Sequence, residues 1–397
     1  MSDRKCVLIG VTGGIAAYKI CPVVSSLKKQ GYDVNVLMTK EAEKFVTPLS
    51  FQSLSNNKVI TDMFTTDYTP EVHHVSLAKK ADAFVIAPAT ANVIAKVANG
   101  IADDMLTTTF LAATCPKLIV PAMNTHMLEN PVTQDNLKKC EHYGMHVLQS
   151  GSGYLACGDY GSGRLPEPDE IEDAIKEILV TDKFLKGKKV LITAGPTEEA
   201  VDPVRCITNH SSGKMGFALA EAARNFGADV TLVAGKNSLK PVRGVQMINV
   251  VSARDMADAV LPRQKDMDVM ILAAAVADYT PVHVADDKIH KSDGPASIEL
   301  ERTTDILATL GKNRRENQTL IGFSMETDHM IERTEKKLEE KNCDYIVANN
   351  LKEKGAGFAT DTNRVTILSR DHEENLGLLS KYDTAVRILE YCLKEKH

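Results

Sequence analysis

No zinc-type cysteine spacing, no CxxC pair and no apolar run of membrane-spanning length occurs in these 397 residues. The eight cysteines (Cys6, Cys21, Cys115, Cys140, Cys157, Cys206, Cys343 and Cys392) are scattered singly. They are therefore read as mostly buried, reduced thiols. A membrane helix needs about 20 consecutive apolar residues, and the short apolar run near the N-terminus is not followed by a small-residue cleavage site. Charge of one sign is not in excess either. The net charge is −6, with basic residues dispersed among acidic ones, which argues against nucleic-acid or lipid-surface partners. The expectation is a cytoplasmic protein acting on small molecules.

Two nucleotide fingerprints are also missing. Gly10-Val-Thr-Gly-Gly14 lacks the spacing of GxGxxG, and Gly213-Lys214 fails the GxxxxGK[ST] pattern because Thr208 and Met215 occupy the required glycine and hydroxyl positions. A plain NAD oxidoreductase is disfavoured on this ground.

What is present is the balance of a globular protein, 43% hydrophobic and 25% charged, at a length that suits two domains. Strands are expected at Lys5 to Val11, Asp33 to Met38, Ala83 to Ala87, Leu118 to Pro121 and His146 to Gln149. Helical patterns separate them, among them Ile15 to Gln30. After the lysine-rich segment Lys183 to Lys189 the pattern restarts, with strands at Val190 to Thr193, Asp229 to Val233, Val269 to Ala274, Leu320 to Phe323 and Tyr345 to Ala348. Asn363 to Leu368 reads as an edge strand before a last helix, Tyr382 to Lys394. The fold class is α/β, two doubly wound, Rossmann-like three-layer domains over 1–182 and 189–397. Asp278 to Leu300 is charged and aperiodic, as expected of a ligand-covering loop.

Ligands in such sheets sit beyond the carboxyl ends of the strands. The segments there are polar or small: Gly13-Gly14, Met38-Thr39, Ala87-Pro-Ala-Thr-Ala-Asn92 and Pro121-Ala-Met-Asn124 in the first half. Together they favour a mononucleotide site. The glycine-rich stretch Gly151 to Gly163, around Cys157, reads as a mobile flap.

Gly13-Gly-Ile-Ala-Ala-Tyr-Lys19, His73-His74-Val-Ser-Leu77, Ala87 to Asn92, Pro121 to Asn124 and Ala156-Cys157-Gly158 resemble the flavin-dependent phosphopantothenoylcysteine decarboxylases. Ile192-Thr-Ala-Gly-Pro-Thr197, Asp202-Pro-Val-Arg205, Asn209 to Gly216, Ala273 to Tyr279 and Lys288-Ile-His-Lys291 resemble the phosphopantothenate–cysteine ligases. The order is that of bacterial bifunctional coenzyme A biosynthesis enzymes. The resemblance implies a first domain of the flavodoxin-like flavoprotein type, whose FMN oxidises the substrate thiol so that carbon dioxide can leave. Gly13, Gly14, Thr39, Pro88, Ala89 and Thr90 are then expected at FMN, with His74 as base, Asn124 as carboxylate clamp and Cys157 as proton donor.

For the second half the resemblance implies 4′-phosphopantothenate, cysteine and CTP as substrates, with Mg²⁺ and an acyl-cytidylate. Lys288 is expected in acyl-cytidylate formation and Asn209 in holding that intermediate. Ala273, Ala274, Asp278, Thr304, Asp305, Ile306, Leu307, Phe323, Lys337 and Lys341 are expected at the nucleotide, Asp278 also as a candidate for the metal. Flavin sites completed between subunits and dimeric ligase halves, hence a homo-oligomer, are implied too.

Blander readings stand beside these: His74 as a surface histidine, Asn124 and Thr304 as helix caps, Lys337 and Lys341 on a solvated helix face. A flavin-binding regulatory module is a further alternative for the first half. One departure is Leu128, where the decarboxylases often carry Trp, a residue absent from this chain; it is expected to alter one pocket wall.

Overall fold

The strand Cys6–Val11 (β1) is buried along its whole length, as a parallel strand covered on both faces must be. In the computed structural model, which describes residues 4–64, 73–156, 158–290, 297–326, 336–350 and 362–394, it is the second strand of a five-stranded parallel sheet. The others are Asp33–Met38 (β2), Ala83–Ala89 (β3), Lys117–Pro121 (β4) and His146–Val147 (β5), in the order β2-β1-β3-β4-β5.

Alternation along the strands feeds two cores. Val7, Ile9 and Val11 pack with Ile20, Val24 and Leu27 of the helix Ile20–Lys29 and with Ile171 and Ile175 of Pro168–Leu179. Leu8, Phe84, Ile86 and Ile119 face the other way, onto Ile94, Leu106, Phe110 and Leu137. Phe84 and Phe110 meet edge to face at 5.0 Å. Each such fully buried apolar side chain contributes roughly 1.5–3 kcal/mol relative to leaving it exposed.

The helix expected over Ile15 to Gln30 is split into a 3-10 turn, Ile15–Lys19, and the α-helix Ile20–Lys29. Pro22 has no N–H to donate one turn back, so the α-helical ladder starts at its level. The glycine-rich stretch forms a hairpin, Gly151–Tyr154 (β6) with Tyr160–Arg164 (β7).

The chain divides into two compact units, Met1–Thr181 and Asp182–His397. In the second, the strands in chain order are Lys189–Ala194 (β8), Glu198–Ala200 (β9), Cys206–Thr208 (β10), Asp229–Ala234 (β11), Gln246–Asn249 (β12), Val269–Leu272 (β13), Tyr279–Pro281 (β14), Leu300–Arg302 (β15), Thr319–Glu326 (β16), Tyr345–Asn350 (β17), Thr362–Leu368 (β18) and Glu373–Ser380 (β19). The main sheet runs β12-β11-β8-β13-β16-β17-β18-β19. Its first six strands are parallel, in the 3-2-1-4-5-6 sequence of a Rossmann sheet. The last two are antiparallel additions.

The expected edge strand Asn363 to Leu368 is therefore internal: Val365 and Ile367 are buried, and β19 covers its outer side. The half-exposed, acidic β19 supplies the actual edge. The aperiodic segment from Asp278 to Leu300 is closed at its base by β14 pairing with β15. Among the seven described cysteines, Cys6, Cys140, Cys343 and Cys392 are buried, and among the described residues no helix is long and apolar enough to cross a membrane.

Candidate functional site

In the first unit the order β2-β1-β3 puts the topological switch point between the ends of β1 and β3. The Thr12 hydroxyl, fully buried, ties these ends together: it donates to the Pro88 carbonyl at 2.6 Å and accepts from the Thr90 N–H at 3.1 Å. Beyond this tie lies a cavity of about 720 Å³. Gly13, Gly14, Pro88, Thr90 and Asn124 line it, as do Lys19, Met123, Met127, Tyr154 and Arg164.

Gly13 approaches the second strand's loop so closely that a Cβ there would stand 2.3 Å from Glu41 Cβ. Thr39 and Ala89 are brought to the same end of the sheet but lie behind the cavity wall, both buried. The Thr39 hydroxyl accepts from the Ala42 N–H at 3.3 Å, and the Ala89 carbonyl accepts from the Ala122 N–H at 3.1 Å.

Asn124 is a helix cap, as the blander reading had it, and it also lines the cavity. Its Oδ1 accepts from the His126 N–H at 2.9 Å, capping a short helix, while its Nδ2 donates to Asp159 at 3.3 Å at the cavity rim. Leu128 is not a cavity residue: it is buried with Leu137 and Phe110 in the core, and Met127 faces the cavity instead. The expected change in a pocket wall is thus a core substitution.

His74, half-buried in the first turn of the helix His73–Lys80, is not part of the cavity wall. Cys157 lies outside the described residues, although its neighbours Leu155 and Ala156 line the cavity. The glycines of the hairpin have a packing reason. Gly163 has φ +107° and a Cβ there would stand 2.2 Å from the Met123 carbonyl oxygen, so no other residue lets β7 lie against the Met123–Asn124 loop.

In the second unit β8 does not run straight into a helix, as in a dinucleotide fold. The β9–β10 hairpin intervenes, and only then does the helix Lys214–Asn225 begin, with Gly213 at its N-cap and no side-chain cap. Two adjoining cavities of about 440 Å³ each flank the switch point between β8 and β13 and share Ala274, Val276, Asp278 and Phe323. One is lined by Thr193, Thr304, Asp305, Ile306 and Leu307. The other is lined by Asn209, Lys214, Ala273 and Lys337.

The loop bearing Ala273 and Ala274 is fixed by side chains from several elements. The Thr193 and Thr197 hydroxyls accept from the Ala274 and Ala277 N–H groups at 3.1 and 3.0 Å. The Asn209 amide donates to the carbonyls of Ala275 and Val276 at 3.0 and 3.3 Å. Asp305, not Thr304, caps the following helix, accepting from the Ala308 N–H at 2.8 Å. Burial pushes the Asp305 carboxyl up, but the Lys341 ammonium and the Ala308 amide outweigh it and hold the group below the usual carboxylate range.

That pairing occupies Lys341 with Asp305, and Lys341 is absent from both cavity walls. Lys337 lines one and donates to the Ser324 hydroxyl at 3.0 Å. Lys288 is exposed and lines neither cavity.

Residues that sequence reasoning passed over complete the second cavity: Ser324, Asn349, Asn363 and Lys381. All four are buried, Lys381 at 9% exposure. The Asn349 Oδ1 has no hydrogen-bond partner among the described residues. Lys381, at the start of the last helix, reads in sequence as an ordinary solvated cation; only its burial sets it apart. Lys214, Lys337, Lys381 and the helix N-terminus together make this cavity a place for an anion. No cluster of three or more metal-ligating side chains occurs among the described residues.

The family model described as Flavoprotein matches residues 1–180. That described as the DNA/pantothenate metabolism flavoprotein C-terminal domain matches residues 185–395. The chain is 48% identical over 394 residues to a coenzyme A biosynthesis bifunctional protein CoaBC of Bacillus subtilis (strain 168), covering 98% of this chain and 97% of that one. It is 42% identical over 388 residues to the protein of the same name from Vibrio vulnificus (strain YJ016), covering 97% and 96%. A crystal structure of the C-terminal domain of a coenzyme A biosynthesis bifunctional protein CoaBC aligns at 46% identity with a TM-score of 0.46, over 53% of this chain and 96% of that one.

Proposed function

This chain belongs to the family of coenzyme A biosynthesis bifunctional proteins, with decarboxylase and ligase activities, and we propose how its two units divide the work. The second unit joins cysteine to 4′-phosphopantothenate with CTP, and the first decarboxylates the product to 4′-phosphopantetheine. The observation that carries this division is the contrast between the two switch-point sites: one large cavity with methionine and proline walls, and one pair of cavities of which one is lined by three lysines, Lys214 at the start of its helix.

The first cavity fits FMN. Its volume lies in the range of cofactor pockets, Pro88, Met123 and Met127 offer apolar walls to a planar ring, and Gly13, Gly14, Thr90, Lys19 and Arg164 offer polar and cationic groups to a phosphate. When bound, the flavin supplies a two-electron acceptor for the substrate thiol and returns the pair after carbon dioxide has left. Asn124 is read as holding the substrate carboxylate, His74 as accepting the thiol proton and Cys157 as delivering a proton to carbon. His74 lies off the cavity wall of its own chain, which supports a site completed by a second copy and hence a homo-oligomer.

In the second unit Asp278, Phe323 and the Thr304–Leu307 turn are read as holding the nucleoside, and Lys214, Lys337 and Lys381 as holding its triphosphate with Mg²⁺. The pantothenate carboxylate attacks the α-phosphorus, pyrophosphate leaves, and the cysteine amine then displaces CMP from the acyl-cytidylate. Cations aimed at the leaving pyrophosphate stabilise the charge that develops there. Lys288 is assigned to the first half-reaction and Asn209 to the second. All substrates are small molecules of the cytoplasm.

The test is a product assay with each nucleoside triphosphate separately, on protein whose visible spectrum reports flavin. Release of CMP, pyrophosphate and CO₂ with CTP is expected. Absence of both CMP and CO₂ refutes the reading. Cys157→Ser is expected to stall CO₂ release while CMP release continues, and Lys288→Gln to slow CMP release severely while decarboxylation of added phosphopantothenoylcysteine continues.

A further inference from the structure

The Asp202-Pro-Val-Arg205 segment turns between β9 and β10, and no step assigned so far uses it. The Asp202 side chain is fully enclosed, yet it carries an unusual load for a turn carboxylate. Its Oδ1 accepts from the Val204 and Arg205 N–H groups, both at 2.8 Å. Its Oδ2 accepts from Arg205 Nε at 2.9 Å, closely from Arg205 Nη2, and from the Ile289 N–H at 3.2 Å. The first four bonds are local; the fifth crosses 87 residues.

Arg205 completes the crossing, because its Nη2 also donates to the Ile289 carbonyl at 2.9 Å. Both backbone polar groups of Ile289 are thus held by one ion pair. Four residues earlier, the Ala285 N–H donates to the Val201 carbonyl at 3.1 Å. The exposed stretch Asp286, Asp287 and Lys288 is therefore pinned at each end to the same turn. That turn leads through β10 into Asn209, whose amide is bonded to the loop at Ala275 and Val276.

We infer that Asp202 is a positioning residue for the ligase reaction, which through Arg205 and the backbone of Ile289 fixes the segment that carries Lys288. The inference rests on the reading of Lys288 as the residue of acyl-cytidylate formation. A lysine on an exposed loop samples many backbone placements, and each must be excluded before its ammonium meets a developing charge. Misplacement by about 1 Å can cost on the order of 100-fold in rate. A carboxylate is suited to this task because it accepts from several donors at once and attracts the guanidinium that grips the second backbone group. The Arg205 guanidinium and the surrounding N–H groups hold the Asp202 carboxyl well below the usual carboxylate range, so the clamp stays ionised at any working pH.

The experiment uses the full chain and compares Asp202→Asn, Lys288→Gln and the double variant, reading steady-state CMP release. Decarboxylation of added phosphopantothenoylcysteine and the thermal midpoint of each protein serve as controls. Asp202→Asn is expected to lower kcat for CMP release by roughly 10- to 100-fold with KM for CTP nearly unchanged. It is expected to leave decarboxylation intact and to add nothing to the loss caused by Lys288→Gln alone.

If Asp202→Asn does not fold, Arg205→Gln replaces it. That variant keeps the turn's own N–H bonds to Asp202 and removes the grip on the Ile289 carbonyl, with a smaller loss in kcat expected. A slow Lys288→Gln beside a fully active Asp202→Asn or Arg205→Gln overturns the inference alone. So do losses that multiply in the double variant, since Asp202 then acts independently of Lys288. A fully active Lys288→Gln removes the reading of Lys288 and the inference with it.

Discussion

Asn349 offers a test in which stability and activity should move in opposite directions. It sits on β17, 5% exposed, in the wall of the lysine-lined cavity, and its Oδ1 has no partner among the described residues. A buried carbonyl left without a donor costs about 1–3 kcal/mol. Asn349→Leu keeps the branching at Cγ, removes that orphaned acceptor and adds apolar surface beside an open cavity that can receive it.

The ligand-free variant should therefore be more stable by roughly 1–3 kcal/mol, and at roughly 2–4 °C per kcal/mol for a domain of this size the thermal midpoint should rise by several degrees. Ligand binding should suffer in return. A ligand polar group that meets a methyl group instead of the Asn349 amide loses about 1–3 kcal/mol, equivalent to roughly a 5- to 150-fold weakening for CTP or the acyl-cytidylate. The assay is differential scanning fluorimetry with and without CTP, alongside CMP release. The wild-type midpoint should rise more with CTP than that of the variant, as mass action requires. A variant no more stable than wild type refutes the cost of the unpaired acceptor, and unaltered ligase kinetics refute a contact between Asn349 and the ligand.

Gly163→Ala forces a side chain into a left-handed backbone at about 1–2 kcal/mol and onto the Met123 carbonyl. Purified protein should carry much less flavin per chain while CMP release persists, and full flavin occupancy would contradict this. Asp33 and Lys80 pair at 2.6 Å; burial raises the Asp33 carboxyl, but Lys80 and two asparagine amides outweigh it and the group lies below its ordinary value. Its contribution is present above the unfolded carboxyl range and is lost as pH falls through the lower folded value. Lys80→Met should thus destabilise by no more than about 1 kcal/mol at pH 7, because Lys80 is half exposed, and the difference should vanish in acid. Urea titrations at both pH values read it, and a difference undiminished in acid counts against the pair. Burial pushes the Cys6 and Cys343 thiols up to about 12 and Cys140 to about 11. Mass spectrometry should find these three unalkylated in the native protein at pH 8 and the exposed Cys206 alkylated; equal labelling would refute their enclosure.

Much of the architecture was legible because parallel strands buried on both faces leave continuous apolar runs, and the loops after them stand out as polar or small. Thus Gly13, Gly14, Pro88 and Thr90 could be placed at one edge before any coordinates. Their neighbours Thr39 and Ala89 could not be told apart from them, since whether a residue faces a cavity or backs it depends on which loop packs in front. Leu128 misled for the same reason: its position in a motif said nothing about whether it turned to the cavity or the core. β19 was missed because an edge strand with one wet face and a glycine at φ +68° has little apolar pattern to read.

Sequence alone determined that there are two α/β sheets, which loops crown each, and that neither loop set carries a dinucleotide or P-loop fingerprint. These are local properties, set by periodicity and by the spacing of glycines and prolines. Tertiary structure alone decided that Asn349, Asn363 and Lys381 join Asn209 and Lys337 around one cavity, and that Asp202 reaches 87 residues along the chain to Ile289. Which buried polar side chains meet around one cavity depends on contacts that folding brings from distant parts of the chain, so residues that look solvated in the sequence become a site once the sheet has closed beneath them.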